Sequence, residues 1–184
     1  MNLKEKYEKE VVPKMMELFG YKNPLEVPKI EKVVINTGFG KMISGKTPEE
    51  QKKIINAILE DLTLISGQKP VITLARQSIS SFKVKKGQPQ GAKVTLRRKR
   101  MYDFLERLIY ITLPRSRDFK GIDVSSFDQK GNLTIGIKEH TAFPEISIEK
   151  TKFIFGLEIT IGIKSKSKEE AIQMLQLLGF PIKK

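Results

Sequence analysis

The feature that most limits the fold of this chain is a strict two-residue alternation of apolar and polar side chains. In the clearest case, residues 157–164, Leu or Ile at every odd position alternates with polar or small residues. Segments 92–98 and 133–138 repeat the pattern, 30–36 is a further strand candidate, and 71–74 is a short one. This period is typical of strands that bury one face and expose the other. We therefore predict a largely antiparallel sheet, because the strands of parallel sheets are usually covered on both faces.

Helices are indicated where apolar residues recur every three to four positions. The segments with this spacing are residues 3–19, 47–65, 101–113 and 167–178. Thr47 with Glu50, and Ser167 with Glu170, predict capping boxes at two helix starts. We predict one α+β domain over residues 1–184, with helices packed on one face of the sheet and the other face left open.

Positive charge is concentrated in one part of the chain. The net charge is +13, yet no acidic residue lies between Asp61 and Asp103. These 41 positions contain ten Lys and Arg residues, so the rest of the chain carries only 24 − 21 = +3. Such a concentration favours an anionic partner, most commonly nucleic acid. The alternative is a solvated basic loop, although solvated surfaces usually mix both signs.

Part of this basic region is a loop, because Gly87, Pro89 and Gly91 interrupt any regular element there. We predict a mobile basic loop over residues 75–91. On the strands that follow, small and basic residues share the face opposite the core, where an RNA backbone could approach closely. They are Lys93, Thr95, Arg97, Thr134, Gly136, Lys138, Thr160, Gly162 and Lys164. A plain solvent-exposed face is the alternative interpretation.

A phosphate-binding loop pattern, G-x-x-x-x-G-K-[ST], is present at residues 40–47 and suggests a rival function as a nucleotide-dependent enzyme. Pro48 weighs against that hypothesis, because it disfavours helical backbone at Thr47, which suits an N-cap better. No later apolar strand ends in Asp to hold magnesium. We expect no catalytic residues.

Metal and membrane sites are also not expected. The chain has no Cys and a single histidine, His140, which excludes thiolate zinc sites and multi-histidine sites. Residues 1–10 are too charged for a signal peptide, and no apolar run approaches the length of a membrane span. We expect a cytoplasmic protein with no cofactor, no metal and no membrane partner.

Several ordered sequence blocks resemble the family of the fifth large-subunit ribosomal protein, the bacterial type that binds 5S rRNA. The blocks are VVINTGFG at 33–40, SGQKPVIT at 66–73, ARQSISSFKVKKGQPQG at 75–91, KVTLR at 93–97, LPRSRDFKG at 113–121, SFDQKGN at 126–132, FPEI at 143–146 and LLGFP at 177–181. Their order and spacing are far more specific than the single phosphate-loop string.

The resemblance implies a structural role in the ribosome, with a defined set of partners. Members of this family bind 5S rRNA and help attach it to 23S rRNA in the central protuberance, beside other 5S-rRNA-associated proteins. They also contact the P-site tRNA and, through an intersubunit bridge, a protein of the small-subunit head. The resemblance places 5S rRNA contacts at Asn36, Thr37, Gly38, Gln68, Lys93, Thr95 and Arg97. Gln68 could instead be an ordinary residue of a helix-end turn.

The resemblance also assigns the tRNA contact to the basic loop. The expected contact residues are Arg76, Ser78, Ser80, Phe82, Lys83, Lys85 and Lys86. This chain departs from the family at Leu74 and Gln77, where relatives usually carry Lys or Arg. Gln90 replaces a usual apolar residue, and Gln129 with Lys130 replaces Gly-Arg. These departures bear more on the tRNA contact than on the 5S rRNA contact.

Overall fold

The computed structural model of the chain describes residues 2–82, 84–117 and 119–183, without the side chain of Phe82. Its sheet is antiparallel and has five strands, in the order β2-β3-β1-β5-β4. The strands are β1 (Lys29–Gly38), β2 (Val71–Leu74), β3 (Pro89–Leu96), β4 (Leu133–Ile137) and β5 (Leu157–Lys164). The predicted α+β class with a largely antiparallel sheet is therefore confirmed.

The helices cover the four predicted segments. They are α1 (Leu3–Lys6), α2 (Val12–Phe19), α3 (Gly40–Ile43), α4 (Pro48–Ser66), α5 (Arg98–Arg107), α6 (Leu113–Arg115) and α7 (Lys168–Leu178). Two π-helical stretches, Tyr7–Val11 and Leu108–Thr112, join α1 to α2 and α5 to α6. Short 3-10 turns lie at Pro24–Glu26, Ser80–Phe82, Val124–Ser126, His140–Ala142 and Ile148–Lys150.

Alternating burial along the strands matches the alternation in the sequence. In β5, every odd position from Leu157 to Ile163 is buried, while the even positions are exposed or half-buried. In β4, Leu133, Ile135 and Ile137 are buried, and Thr134 and Gly136 are exposed. One face of these strands therefore contributes to the apolar core, and the other carries the small and polar residues.

The chain divides into two compact units, each described separately. The first unit contains residues Met1–Val33, Leu96–Ile135 and Ile159–Lys184, and the second contains Val34–Thr95 and Gly136–Glu158. The first unit includes α1, α2, α5, α6 and α7, and the second includes α3, α4 and β2. The prediction of one domain over the whole chain stays a prediction.

Each π-helical stretch precedes a proline by the same distance. Pro13 comes two residues after Val11, and Pro114 comes two residues after Thr112. A proline has no N–H, and its ring clashes with the carbonyl one turn earlier, so a wider turn before it accommodates the ring. Helix 101–113 was predicted to end at Pro114, and this was wrong: helical backbone continues to Arg115.

Two other predicted boundaries also need correction. The strand predicted at 92–98 begins at Pro89 and ends at Leu96, because Arg98 adopts a φ of 53° at the start of α5. The predicted capping box at α7 is only half formed. The Ser167 hydroxyl accepts from the N–H of Glu170, but the Glu170 carboxylate accepts from the N–H of Lys166 (3.0 Å) instead of that of Ser167.

Candidate RNA interface

The candidate interface lies in the second unit, on the exposed face of strands β1 and β3. In β1, Asn36 is half-buried and Gly38 is exposed; in β3, Lys93 is exposed and Thr95 is half-buried. Val94 and Leu96 alternate with these β3 residues and are buried in the core. The alternation that builds the core therefore directs short polar and cationic side chains to the opposite face.

Thr37 differs from its predicted neighbours because its side chain points into the protein. The residue is only 2% exposed, and its hydroxyl donates to the carbonyl oxygen of Gly156 over 2.7 Å. The strand period explains this orientation, since Thr37 follows the buried positions Val33 and Ile35 at steps of two. The Thr37 hydroxyl is therefore engaged inside the protein and is not available to RNA.

Gln68 is held beside Thr95 by a direct hydrogen bond. Helix α4 ends at Ser66 and is capped by Gly67, which has a φ of 65°. The Ser66 hydroxyl accepts from the backbone N–H of Gln68 over 3.2 Å. This turn directs the Gln68 side chain towards β3, where its amide Nε2 donates to the carbonyl oxygen of Thr95 over 3.2 Å. Gln68 is therefore both a helix-end turn residue and a neighbour of a predicted RNA-contact residue.

A shallow groove of about 470 Å³ lies beside Asn36. It is lined by residues 36–38, 136–138 and 156–158, and three of these nine residues are glycines. Gly91 allows β3 to approach β1 closely, because a Cβ at that position would overlap the carbonyl oxygen of Thr37. The missing side chains leave space at the strand surface for a backbone or a base edge.

Arg97 lies in the first unit, after the end of β3. Its side chain is exposed and donates from Nη1 to the carbonyl oxygen of Glu31 over 3.5 Å. The next residue, Arg98, has the left-handed φ noted above and is also exposed. Neither guanidinium is buried, so both carry charge at a surface, as phosphate contacts require.

The predicted basic loop forms a hydrogen-bonded hairpin over residues 75–88, here called the basic hairpin. Ile79 and Val84 exchange backbone hydrogen bonds of 2.9 and 3.1 Å, and Ala75 accepts from the N–H of Gly87. The Ser78 hydroxyl accepts from the N–H of Lys86 over 2.9 Å, so it contributes to the frame of the hairpin. The predicted loop end at residue 91 was wrong, because β3 already begins at Pro89.

Most of the predicted tRNA-contact residues lie on the surface of the basic hairpin. The exposed ones are Arg76, Ser78, Ser80, Lys85 and Lys86. Lys83 and the side chain of Phe82 lie outside the described residues. The hairpin therefore presents at least three cations on a frame that its own backbone hydrogen bonds hold together.

The phosphate-loop string does not form a phosphate loop. Gly40–Ile43 is a short helix, and Thr47 has extended backbone and caps α4 in a complete box with Glu50. The Glu50 carboxylate accepts from the N–H of Thr47 over 3.0 Å. A phosphate loop requires helical backbone already at Lys46 and Thr47, whereas here α4 begins at Pro48.

His140, dismissed as a site from the sequence, is a fully buried core residue with a partner that the sequence did not indicate. Its Nε2 lies 3.2 Å from a carboxylate oxygen of Asp61, and its ring stacks on Phe155 with centroids 3.9 Å apart. Burial lowers the pKa of His140 below 6.5, although the Asp61 carboxylate acts in the opposite direction. The imidazole therefore serves as a packed, polar core group.

Neither a metal-binding cluster nor a membrane-spanning helix is present among the described residues. In that part of the chain, no group of three or more His, Asp or Glu residues is arranged to hold a metal ion. Nor does any helix there combine the length and apolar character needed to cross a membrane.

Two family descriptions match nearly the whole chain. "Ribosomal protein L5" matches residues 23–85, and the description of the C-terminus of the same ribosomal family matches residues 89–182. The chain belongs to this ribosomal protein family.

Its curated relatives carry the name large ribosomal subunit protein uL5. Those from Caldanaerobacter subterraneus and a Thermoanaerobacter species are each 54% identical over 182 residues, covering 99% of this chain and 98% of theirs. A relative from Halothermothrix orenii is 49% identical over 179 residues, 97% of each chain.

Membership in the uL5 family makes this chain a structural, non-enzymatic component of the large ribosomal subunit. The predicted family, its role in translation and its place in the ribosome are thereby confirmed. The enzyme hypothesis based on residues 40–47 is excluded. Association with ribosomal RNA follows from the same membership.

Proposed function

We propose that this chain binds 5S rRNA in the large subunit and helps attach it to 23S rRNA. The observation that carries the proposal is the Gln68–Thr95 hydrogen bond, which joins two of the expected contact residues. The half-buried Asn36 and the exposed Lys93 lie on strands of the same unit. Binding is expected at Asn36, Gln68, Lys93 and Thr95, with the backbone of residues 37–38 and the exposed Arg97 as further contacts.

The chemistry of this face suits a folded RNA with a fixed backbone path. Asn36 and Thr95 offer short polar side chains that order with little loss of conformational freedom. Lys93 and Arg97 supply charge for phosphates, which positions the RNA without reading its sequence. Hydrogen bonds from the RNA to the half-buried Asn36 and Thr95 supply the selectivity for one RNA, since an RNA that leaves one partner unsatisfied loses about 1–3 kcal/mol.

The basic hairpin is proposed to contact P-site tRNA. Support comes from the exposed Arg76, Lys85 and Lys86 on a hairpin that contains no acidic residue. Lys83 and Phe82 belong to the same proposal. Other 5S-rRNA-associated proteins, and a small-subunit head protein at an intersubunit bridge, complete the proposed set of partners on the strength of family membership.

The test is 5S rRNA affinity for Thr95→Val against wild type at several salt concentrations. The variant keeps the shape and β propensity of the residue and replaces its hydroxyl with a methyl group. We expect affinity to fall by about 1–3 kcal/mol, roughly a factor of 5–150. The matched control is Thr63→Val, because the Thr63 hydroxyl is exposed on α4 and bonds only within its own helix, to Leu59.

Competition between 5S rRNA and other RNAs tests which RNA the site prefers. Wild-type binding to 5S rRNA should survive excess duplex RNA, and its salt dependence should correspond to several phosphate contacts. Equal binding of all RNAs, with Thr95→Val and Thr63→Val indistinguishable, would reject the proposed 5S rRNA site.

A further inference from the structure

A second concave site lies in the second unit, between α3 and the basic hairpin. Its volume is about 580 Å³, within the range of small-ligand pockets. The lining residues that matter are the cations Lys41 and Arg76, the amides Gln77 and Gln90, and the aliphatic pair Ile79 and Val84. This cavity does not include any residue of the proposed 5S rRNA face.

The cavity walls are fixed by two local features. The reciprocal backbone bonds between Ile79 and Val84 hold the two aliphatic residues directly across the hairpin. Ile79 is 45% exposed, so an apolar surface is open on this side. On the other side, Gly40 lets the Gln90 side chain lie against α3, because a Cβ at Gly40 would overlap the Gln90 amide.

The phosphate-loop string contributes to this cavity in an unexpected way. Gly40, Lys41 and Ser44 of that string line it, although Lys46 and Thr47 do not. Lys41 and Arg76 are both exposed, and no hydrogen bond or ion pair engages either side chain among the described residues. The two cations are thus available to a ligand.

The combination of groups restricts the ligand class. None of the ten lining residues is acidic, so the cavity carries two uncompensated positive charges and favours an anion. Aliphatic walls favour a flat apolar body, and glutamine amides can donate to and accept from its polar edge. A nucleotide, with a phosphate, a planar base and a hydrogen-bonding edge, has all three properties.

We propose that this cavity binds a single nucleotide of an RNA strand whose base has left its stack. The base lies against Ile79 and Val84, the amides of Gln77 and Gln90 meet its edge, and Lys41 and Arg76 contact the adjacent phosphates. The inference rests on the proposed RNA-binding function and adds to the basic hairpin a pocket for one unpaired nucleotide.

The test measures affinity of the full chain for a single-stranded RNA hexamer with 2-aminopurine at one central position. Ser44→Trp places a bulky side chain at the cavity without changing its charge, and Gln77→Ala removes one amide. Asn56→Ala is the matched control, because it also leaves the charge unchanged and removes an amide that is exposed on α4 of the same unit and does not line the cavity.

Binding should raise 2-aminopurine fluorescence as the base leaves its stack. We expect both cavity variants to lose at least roughly fivefold in hexamer affinity, against less than about twofold for Asn56→Ala, because one variant blocks the cavity and the other removes a hydrogen-bond partner of the base edge. Affinity for a duplex of the same sequence should be the same for wild type and for Ser44→Trp. The Ser44→Trp variant should leave 5S rRNA affinity unchanged.

The outcomes separate this inference from the 5S rRNA proposal. If Ser44→Trp binds the hexamer as wild type does, binding depends on charge alone and the pocket is rejected. Competition by a free mononucleotide as strong as that by the hexamer would also reject an RNA strand as the ligand. Either result leaves the 5S rRNA site standing, provided that Thr95→Val still weakens 5S rRNA binding.

Discussion

Gln68 donates a hydrogen bond from its side-chain amide to the carbonyl oxygen of Thr95 over 3.2 Å, across 27 positions of sequence. The bond joins the turn after α4 to strand β3. Because the Ser66 hydroxyl also binds the backbone of Gln68, the turn and the strand form one connected polar structure. Through this connection, a change at Gln68 reaches the proposed 5S rRNA face.

The first prediction concerns Gln68→Ala. Removing the amide leaves the Thr95 carbonyl without this donor, so the free energy of unfolding should fall by about 1 kcal/mol. Affinity for 5S rRNA should fall as well, because the position of Thr95 then depends on β3 alone. Urea unfolding and RNA titration of the same preparation measure the two effects. A loss of stability with unchanged 5S rRNA affinity would make Gln68 a turn residue only.

The second prediction concerns the capping box of α4. Thr47→Ala removes the side-chain acceptor for the N–H of Glu50, and losing such a cap costs about 1 kcal/mol of stability. Lys46→Ala, one residue earlier, is the matched control and should have the stability of wild type. In calorimetric titrations with ATP and magnesium, both variants should give the same heats as wild type. Magnesium-dependent ATP binding abolished by Lys46→Ala would contradict the structural role given to residues 40–47.

Much of this fold could be predicted because its signals are local. The alternation in 157–164 and the box at Thr47 each depend on residues close in sequence, and β5 and the start of α4 match them. The partnership of His140 with Asp61 could not be predicted, since 79 positions separate them and only packing brings them together. For Thr37 the strand period alone predicts an inward side chain, as observed, whereas the contact expected there rests on the family resemblance.

The third prediction concerns strain at Arg98. This residue has a φ of 53°. Left-handed backbone costs a residue with a Cβ about 1–2 kcal/mol. Glycine avoids this strain but loses more conformational entropy on folding, so only part of that free energy is gained by the substitution. Arg98→Gly should therefore raise the free energy of unfolding by about 0.5–1 kcal/mol. Lys99→Gly, within the same first turn of α5, provides the opposite control and should lower stability. Chemical denaturation compares the three proteins, and a destabilised Arg98→Gly would contradict the assignment of strain.

The fourth prediction is a loss of stability on mild acidification that depends on His140. Burial lowers the pKa of this imidazole below 6.5, while the nearby Asp61 and Glu139 carboxylates oppose the shift. Just below pH 6.5 the unfolded chain therefore binds more protons than the folded chain, and stability falls as pH falls through this window. Asp61 has the opposite effect on stability, because burial raises its pKa above 3.8 and its protonation therefore favours the folded state as pH falls. The test is kept at the upper end of the acidic range to avoid this contribution.

His140→Phe provides the comparison, because it retains a ring to stack on Phe155 and removes the titrating group. His140 is the only histidine in the chain, so its ring resonances report its pKa directly. Between about pH 7.5 and pH 5.5, wild type should lose more stability than His140→Phe, since each unit of pKa difference corresponds to about 1.4 kcal/mol. Equal losses in the two proteins, or a histidine resonance that titrates above pH 6.5, would show that the imidazole is charged in the core and paired with Asp61.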